Sequence, residues 1–334
     1  MTATESIALP NTREGVGQSQ ALRRLFILFT ILMLGAYLAA LVQNWRDAID
    51  DTRSSLTHIN SMLAQGVRST MKTHELVLLG FGGELVAEGA LDHPENGRKL
   101  IERMRAIDPG FAGFGLARTD GQLVLVSNVT NSASLPNLAQ MPESRDSFLQ
   151  CIARDRIQLG RPYFMKQLAH WVSPIRVPIH NAKGEVVAVM TAGYPIENGS
   201  AAWFNMTLPP NVETALLRED GYLQHLYPRQ QWTIEQTYGM PIATETINQI
   251  KALTGNSGFT SMYFPRRHGH FYIAYEKLEE YGLYAGSFVP RSAVFAQWLE
   301  RIIAPTVLLF IYFFGSLWAY RRSAAQQQKA EHEV

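Results

Sequence analysis

The chain has 334 residues, 46% of them hydrophobic, with a formal net charge of +1 and a single cysteine. A balance this close to neutral, with no cluster of Lys and Arg, excludes nucleic acid as a partner, because phosphate binding rests on concentrated positive charge. Cys151 alone cannot close an internal disulfide, so packing must hold the fold, and no motif implies a cofactor.

Leu25 to Val42 carries no charge and neither does Ile302 to Tyr320; each approaches the ~20 residues that a helix needs to cross a bilayer. Arg23 and Arg24 precede the first run, while Arg321 and Arg322 follow the second. The positive-inside rule then predicts a two-pass protein of a bacterial inner membrane, with both termini cytoplasmic and residues 43–301 periplasmic. A cleaved signal peptide competes for the first run, but the polar leader is long and no A-x-A site follows Leu41. A buried core helix competes for the second, with Pro305 in its first turn; the arginine pair with Trp318 and Tyr320 at interfacial depth favours spanning.

Trp45 to about Thr73 is predicted as one long helix, because Ile49, Leu56, Ile59, Leu63, Val67 and Met71 recur at helical steps while Arg46, Asp47, Asp50, Asp51 and Arg53 take the other faces. Such a helix packs on a sheet and can add a seam for a homodimer. Gly82-Gly83-Glu84-Leu85 superficially resembles a diguanylate cyclase signature, but the second acid and the Phe are missing, and it reads as a helix break. A second helical stretch covers Asn96 to Ile107.

Beyond it the pattern turns to short strands. Phe111 to Arg118 and Gln122 to Ser127 flank Asp120-Gly121, a dipeptide suited to a tight hairpin. Glu143 to Arg156 returns to helical spacing, and the strands His170 to Ile179 and Val186 to Ile196 follow. The order then restarts: Val212 to Arg218 and Tyr222 to Tyr227 flank Asp220-Gly221, before a helix at Thr244 to Thr254 and strands near Phe259 to Phe264, His270 to Glu276 and Leu283 to Val289. Leu116-Ala117-Arg118-Thr119-Asp120-Gly121 is echoed by Leu216-Leu217-Arg218-Glu219-Asp220-Gly221, which indicates duplicated α+β modules.

These segments resemble the double-Cache sensor domains, also called PDC sensors, of bacterial diguanylate cyclases, histidine kinases and chemoreceptors, over about Trp45 to Trp298. Ser144-Arg145-Asp146-Ser147-Phe148, Leu159-Gly160-Arg161-Pro162-Tyr163, Trp171 through Pro174 to Arg176, and the turn ending at Gly184 are similar to the segments that frame the membrane-distal pocket. Ala274-Tyr275-Glu276-Lys277-Leu278 and Leu283-Tyr284-Ala285-Gly286-Ser287 are similar to the closing strands of the membrane-proximal module. The resemblance implies an α+β fold, a long N-terminal helix with two tandem PAS-like antiparallel-sheet modules, flanked by the two transmembrane helices.

The implied division runs from a cytoplasmic segment 1–24 through a span 25–42 to the long helix and distal module 45–200. The proximal module 201–298, a span 302–320 and a cytoplasmic tail 321–334 complete it. Arg145, Phe148, Tyr163, Trp171, Arg176 and Tyr194 are the pocket candidates carried over by position. Guanidinium groups bind carboxylates bidentately, and the aromatic rings would wall a ligand from water. Strand alternation sets Val172, Pro174, Arg176 and Pro178 on one face and Trp171, Ser173 and Ile175 on the other, so one pocket holds both sets only if a bulge intervenes at Pro174.

Amino-acid-binding members of the family carry Arg-x-Trp-Tyr where this chain has Arg145-Asp146-Ser147-Phe148. They also place an Asp on the last distal strand, where this chain reads Gly193-Tyr194-Pro195-Ile196. Both departures point to a carboxylate without an ammonium group.

His268-Gly269-His270 beside Arg266 and Arg267 reads as a hairpin turn with solvated charges, since no further ligands stand at metal spacing. No G-x-S-x-G elbow, P-loop or H-E-x-x-H occurs. The expected function is therefore a non-enzymatic receptor for a small organic ligand. Ser323 to Val334 is too short for an output domain, so the signal would pass to a separate cytoplasmic or membrane partner, unless the chain is a shortened relative of a cyclase or kinase. An extracytoplasmic enzyme or assembly factor on the same scaffold is the rival reading.

Overall fold

The computed structural model describes residues 12–129, 135–166, 168–196, 207–228 and 232–332. Its first element, α1 (Thr12–Ala87), is one helix of 76 residues, so the apolar run and the amphipathic stretch are continuous. Leu56, Ile59, Leu63, Val67 and Met71 are buried as the periodicity predicts, and the stripe continues through Leu78 and Leu85. The expected break at Gly82-Gly83 is absent, because Gly82 serves packing. A Cβ there would collide with the Ile179 side chain and lie 3.1 Å from the Cβ of Met190. The glycine costs the helix about 1 kcal/mol against alanine, and in return the helix backbone reaches the sheet.

After α2 (Pro94–Ile107) comes the first sheet, built from β1 (Gly113–Arg118), β2 (Leu123–Val126), β3 (Gln158–Leu159), β4 (Tyr163–Met165), β5 (His170–His180) and β6 (Val186–Pro195), with α3 (Arg145–Arg154) between β2 and β3. Its order is β2-β1-β6-β5-β3, with β4 also paired to β5, and every pairing is antiparallel. The second sheet comprises β7 (Glu213–Arg218), β8 (Leu223–Tyr227), β9 (Ser257–Phe264), β10 (Gly269–Leu278) and β11 (Leu283–Pro290), with α4 (Ile234–Tyr238) and α5 (Thr244–Lys251) inserted after β8. Its antiparallel order is β8-β7-β11-β10-β9. Periodicity predicted the long strands but missed β3, β4 and α4, which are too short to show a period.

The internal echo is structural. Gly121 and Gly221 both take positive φ, 93° and 89°. Each Asp-Gly turn closes with the same hydrogen bonds, Gly121 N to Arg118 O at 3.0 Å and Gly221 N to Arg218 O at 2.9 Å. The register shift falls between Leu116 and Ala117 in one module and between Leu216 and Leu217 in the other.

One face of α1 serves both sheets. Arg53 stacks over Phe259, and Arg68 pairs with Glu276 at 2.8 Å and Glu280 at 2.7 Å, all in the second module. Further along, His74 packs on Phe111 and Tyr194 of the first. In the hairpin around His268, Arg266, His268 and His270 are exposed as expected, whereas Arg267 forms a two-pronged pair with the buried Glu213 at 2.8 and 2.9 Å.

Thr52–Ala293 forms one compact unit; among the described residues, 12–51 together with 294–332 form another. The expected module boundary at 200/201 lies outside the described residues. In the second unit α1 runs antiparallel to α6 (Arg291–His332): Phe26 stacks on Tyr320, the Tyr37 hydroxyl meets Thr306 at 2.5 Å, and Trp45 packs on Trp298. Both helices are long and apolar enough to cross a membrane, and neither apolar window is buried, which removes the core-helix reading of the second run. Pro305 lies inside α6 and not in its first turn, because the helix already starts at Arg291.

His225, buried beside Thr214 in the second module, has its pKa pulled down to about 4 by desolvation. The unfolded chain binds this proton below about 6.5, so the contribution is complete above that pH and is lost as pH falls towards 4. Denaturant unfolding should show a loss approaching about 3 kcal/mol across that window from this group, and His225→Gln should flatten that part of the profile.

Candidate functional site

Because α1 takes one face of the first sheet, the opposite face is free to build a site. That face carries Val172, Pro174 and Arg176 from β5, Thr191 and Gly193 from β6, and Gly113 and Gly115 from β1. Over it lies α3, whose Ser147, Phe148 and Cys151 share its inward side by helical spacing and are buried. Tyr163 closes one end from β4, opposite Val172. A cavity of about 20 Å³ lies between Tyr163, Val172, Pro174, Thr191 and Gly193.

Arg176 is the centre of this face. Its side chain is 0% exposed. Nη1 donates to Ser147 Oγ at 2.5 Å and Nη2 to Ser144 Oγ at 2.6 Å, while Nε has no hydrogen-bond partner among the described residues. Burial pulls its pKa down from the usual arginine value, opposed by Tyr163 and Cys151 and reinforced by the charge of Arg218. The same burial pushes the Cys151 thiol up to about 12 and raises Tyr163, with the Arg176 charge opposing both. Two hydroxyls are weak compensation for a desolvated guanidinium, which normally sits against an anion. No carboxylate hydrogen-bonds to Arg176 among the described residues. A Cβ on Gly160 would run into Nη1, so only glycine admits the guanidinium here.

Three of the six sequence candidates come together: Arg176, Phe148 and Tyr163. Arg145, the first residue of α3, is exposed at the edge of this face. Trp171 and Tyr194 stand on the other side of the sheet, Tyr194 against His74 and Phe111, and Trp171 beside Phe164 and within 3.0 Å of where a Cβ of Gly239 would lie. No bulge occurs at Pro174; the β5–β6 register is unbroken from Val172 to Ile179, so alternation keeps the two sets apart. Ser144, Ser147 and Gly160 lie within the segments that resemble a pocket frame but were not among the six candidates. Their signal was the three-residue step between the serines, which puts both hydroxyls on the side of α3 that carries Phe148.

The same segment reaches the second module. Gly160 O accepts from Gln224 Nε2 at 3.0 Å, and the Gln224 amide oxygen accepts from Ser173 Oγ. Next to it, Arg161 pairs with Asp220 at 2.9 Å and Asp146 at 3.3 Å and stacks over Tyr222. Gly160 and Arg161 thus touch Arg176 on one side and the second sheet on the other.

Two expectations follow from burial. Gln224→Leu should cost about 1–3 kcal/mol in denaturant unfolding, since it strands the Gly160 carbonyl and the Ser173 hydroxyl. Cys151 should resist maleimide at pH 8 in the folded chain and react fully in denaturant, as read by intact-mass spectrometry.

No family model and no curated protein matches the chain. Solved structures do. The extracellular domain of a protein assigned as a histidine kinase, rpHK1S-Z16, aligns with a TM-score of 0.58 at 15% identity, covering 75% of this chain and 99% of that one. The ligand-binding domain of the Pseudomonas aeruginosa amino acid chemoreceptor PctB, in complex with L-arginine, aligns at 0.54 and 16%, covering 74% and 98%. The sensory domain of the Campylobacter jejuni chemoreceptor Tlp3 with isoleucine bound aligns at 0.50 and 14%, covering 75% and 97%. At these identities the likeness is one of fold, and it is the sensor-domain fold that the sequence resembles.

Proposed function

We propose that this chain is a membrane-bound sensory receptor, not an enzyme, whose two-module region binds a small organic anion at the Arg176 face of the first module. The observation that carries this reading is a fully buried guanidinium that, among the described residues, is met by two serine hydroxyls and keeps one N–H unpartnered. An anion there would offset a desolvation cost of several kcal/mol that the protein's own groups leave in place. Arg176 would grip the carboxylate, Ser144, Ser147 and Tyr163 would add hydroxyls, and Phe148 would exclude water. Arg145 stands close enough in sequence to guard the rim. The strands of this face, β1, β5 and β6, present no acidic side chain to pair with an ammonium, and Glu143 and Asp155 act only from beyond the two ends of α3, which supports a carboxylate lacking one.

The apolar, unburied surfaces of α1 and α6 support two membrane spans. Their antiparallel pairing brings Phe26 beside Tyr320, so the doublets Arg23-Arg24 and Arg321-Arg322 flank the same end, in keeping with cytoplasmic termini and a periplasmic sensor. Met62, Leu76 and Leu79 are exposed on α1 and suit a homodimer seam. Transmission would run from Arg176 through Gly160 to Gln224 and the second module, and from there through the spans to a cytoplasmic or membrane partner. Differential affinity for two states worth ~1–3 kcal/mol suffices for such coupling.

The test is thermal unfolding of the full chain in lipid nanodiscs against a panel of small mono- and dicarboxylates. One class should stabilise it, by about 2.7 kcal/mol at 100 times its dissociation constant. Arg176→Met should fold with equal or greater stability and lose that response, whereas Arg145→Ala should weaken it less; a folded Arg176→Met that still responds refutes the site. Reporter fusions after Glu331 and within the turn at Gly184 should report cytoplasm and periplasm respectively, and the opposite result refutes the topology.

A further inference from the structure

The echo between the modules extends from the Asp-Gly turns to the faces of the sheets. In the first sheet Thr191 is the register partner of both Gly115 and Arg176; in the second, Gly286 is the partner of both Ala215 and Tyr275. Tyr275 therefore holds in the second module the place that Arg176 holds in the first. Leu223 and Leu226 likewise stand where Leu123 and Val126 stand. On this corresponding face the second sheet, with α4 and α5, leaves a cavity of about 140 Å³, against about 20 Å³ between Tyr163, Val172 and Thr191 in the first.

Ala215, Leu217, Leu223, Leu226, Ile273 and Phe288 are among its walls. Several polar groups that reach it are already bonded within the protein. The Tyr275 hydroxyl donates to Thr254 O at 3.0 Å and Thr237 Oγ1 to Thr233 O at 2.8 Å. Arg267 is matched by Glu213, and Arg266 donates to Pro241 O at 3.1 Å. A carboxylate driven into these walls would be desolvated without a dedicated cation, whereas an apolar cavity of about 150 Å³ is known to hold benzene.

We infer that the second module carries a ligand site of its own, for a neutral, mainly apolar molecule the size of one aromatic ring with a short substituent. The exchange of arginine for tyrosine at the corresponding register position switches the chemistry from anion to apolar body, so one receptor region takes two unlike ligands. This site does not depend on the Arg176 reading.

The experiment is ¹⁹F NMR of 5-fluoroindole with the full chain in nanodiscs, with empty nanodiscs correcting for partition into lipid. Saturable line broadening is expected. Gly286→Phe points a ring into the cavity, where a Cβ meets nothing nearer than 4.0 Å, and should weaken binding at least ten-fold. Ala215→Leu, from a different strand, should do the same and is decisive alone if Gly286→Phe fails to fold. The inference is overturned by the absence of saturable binding or by wild-type affinity in the folded cavity variants.

Discussion

A β-strand sends successive side chains to opposite faces, so once α1 occupies one face of both sheets, any ligand site must be built on the other. The helix reaches the first sheet closely because Gly82 removes the side chain that would strike Ile179 and Met190. It is bound to the second by the Arg68 pairs with Glu276 and Glu280. With that face closed, α3 in one module and α4 and α5 in the other cover what remains, and the chemistry of each module is set by what lies beneath them.

What lies beneath α3 is a charge in an unfavourable place. A guanidinium surrounded by Phe148, Cys151, Tyr163 and two serines contributes little to stability by itself, and an apolar side chain of similar length would pack there at least as well. Such a group fits binding better than folding. Its immediate neighbour, Gly160, passes the backbone on to Gln224 and, through Arg161, to Asp220 of the second Asp-Gly turn. The proposed site and the contact with the second sheet are therefore joined by the consecutive residues Gly160 and Arg161.

The two sheets share order, turn geometry and register shift, yet the positions facing their covered sides are free to differ. Gly115, Gly193 and the buried Arg176 in the first sheet answer to Ala215, Phe288 and Tyr275 in the second. One backbone plan thus supports two distinct interiors.

Much of the fold was legible in the residues themselves. The two charge-free runs, the stripe from Leu56 to Met71, the long strands and the paired Asp-Gly turns all follow from local periodicity and turn chemistry, which act over a few residues. That alternation also foretold that Trp171 and Arg176 could not share a pocket without a bulge. Which face would be the site was another matter: it depended on where α1 packs, a contact between residues about a hundred positions apart that no local pattern encodes. For the same reason Gly82 looked like a break and proved to be a packing position, and the serines of the pocket-framing segment showed their bond to Arg176 only once α3 was laid across β5. Periodicity determined the elements and their faces; only tertiary packing decided which face meets the helix, because burial is settled by the whole chain and not by any segment of it.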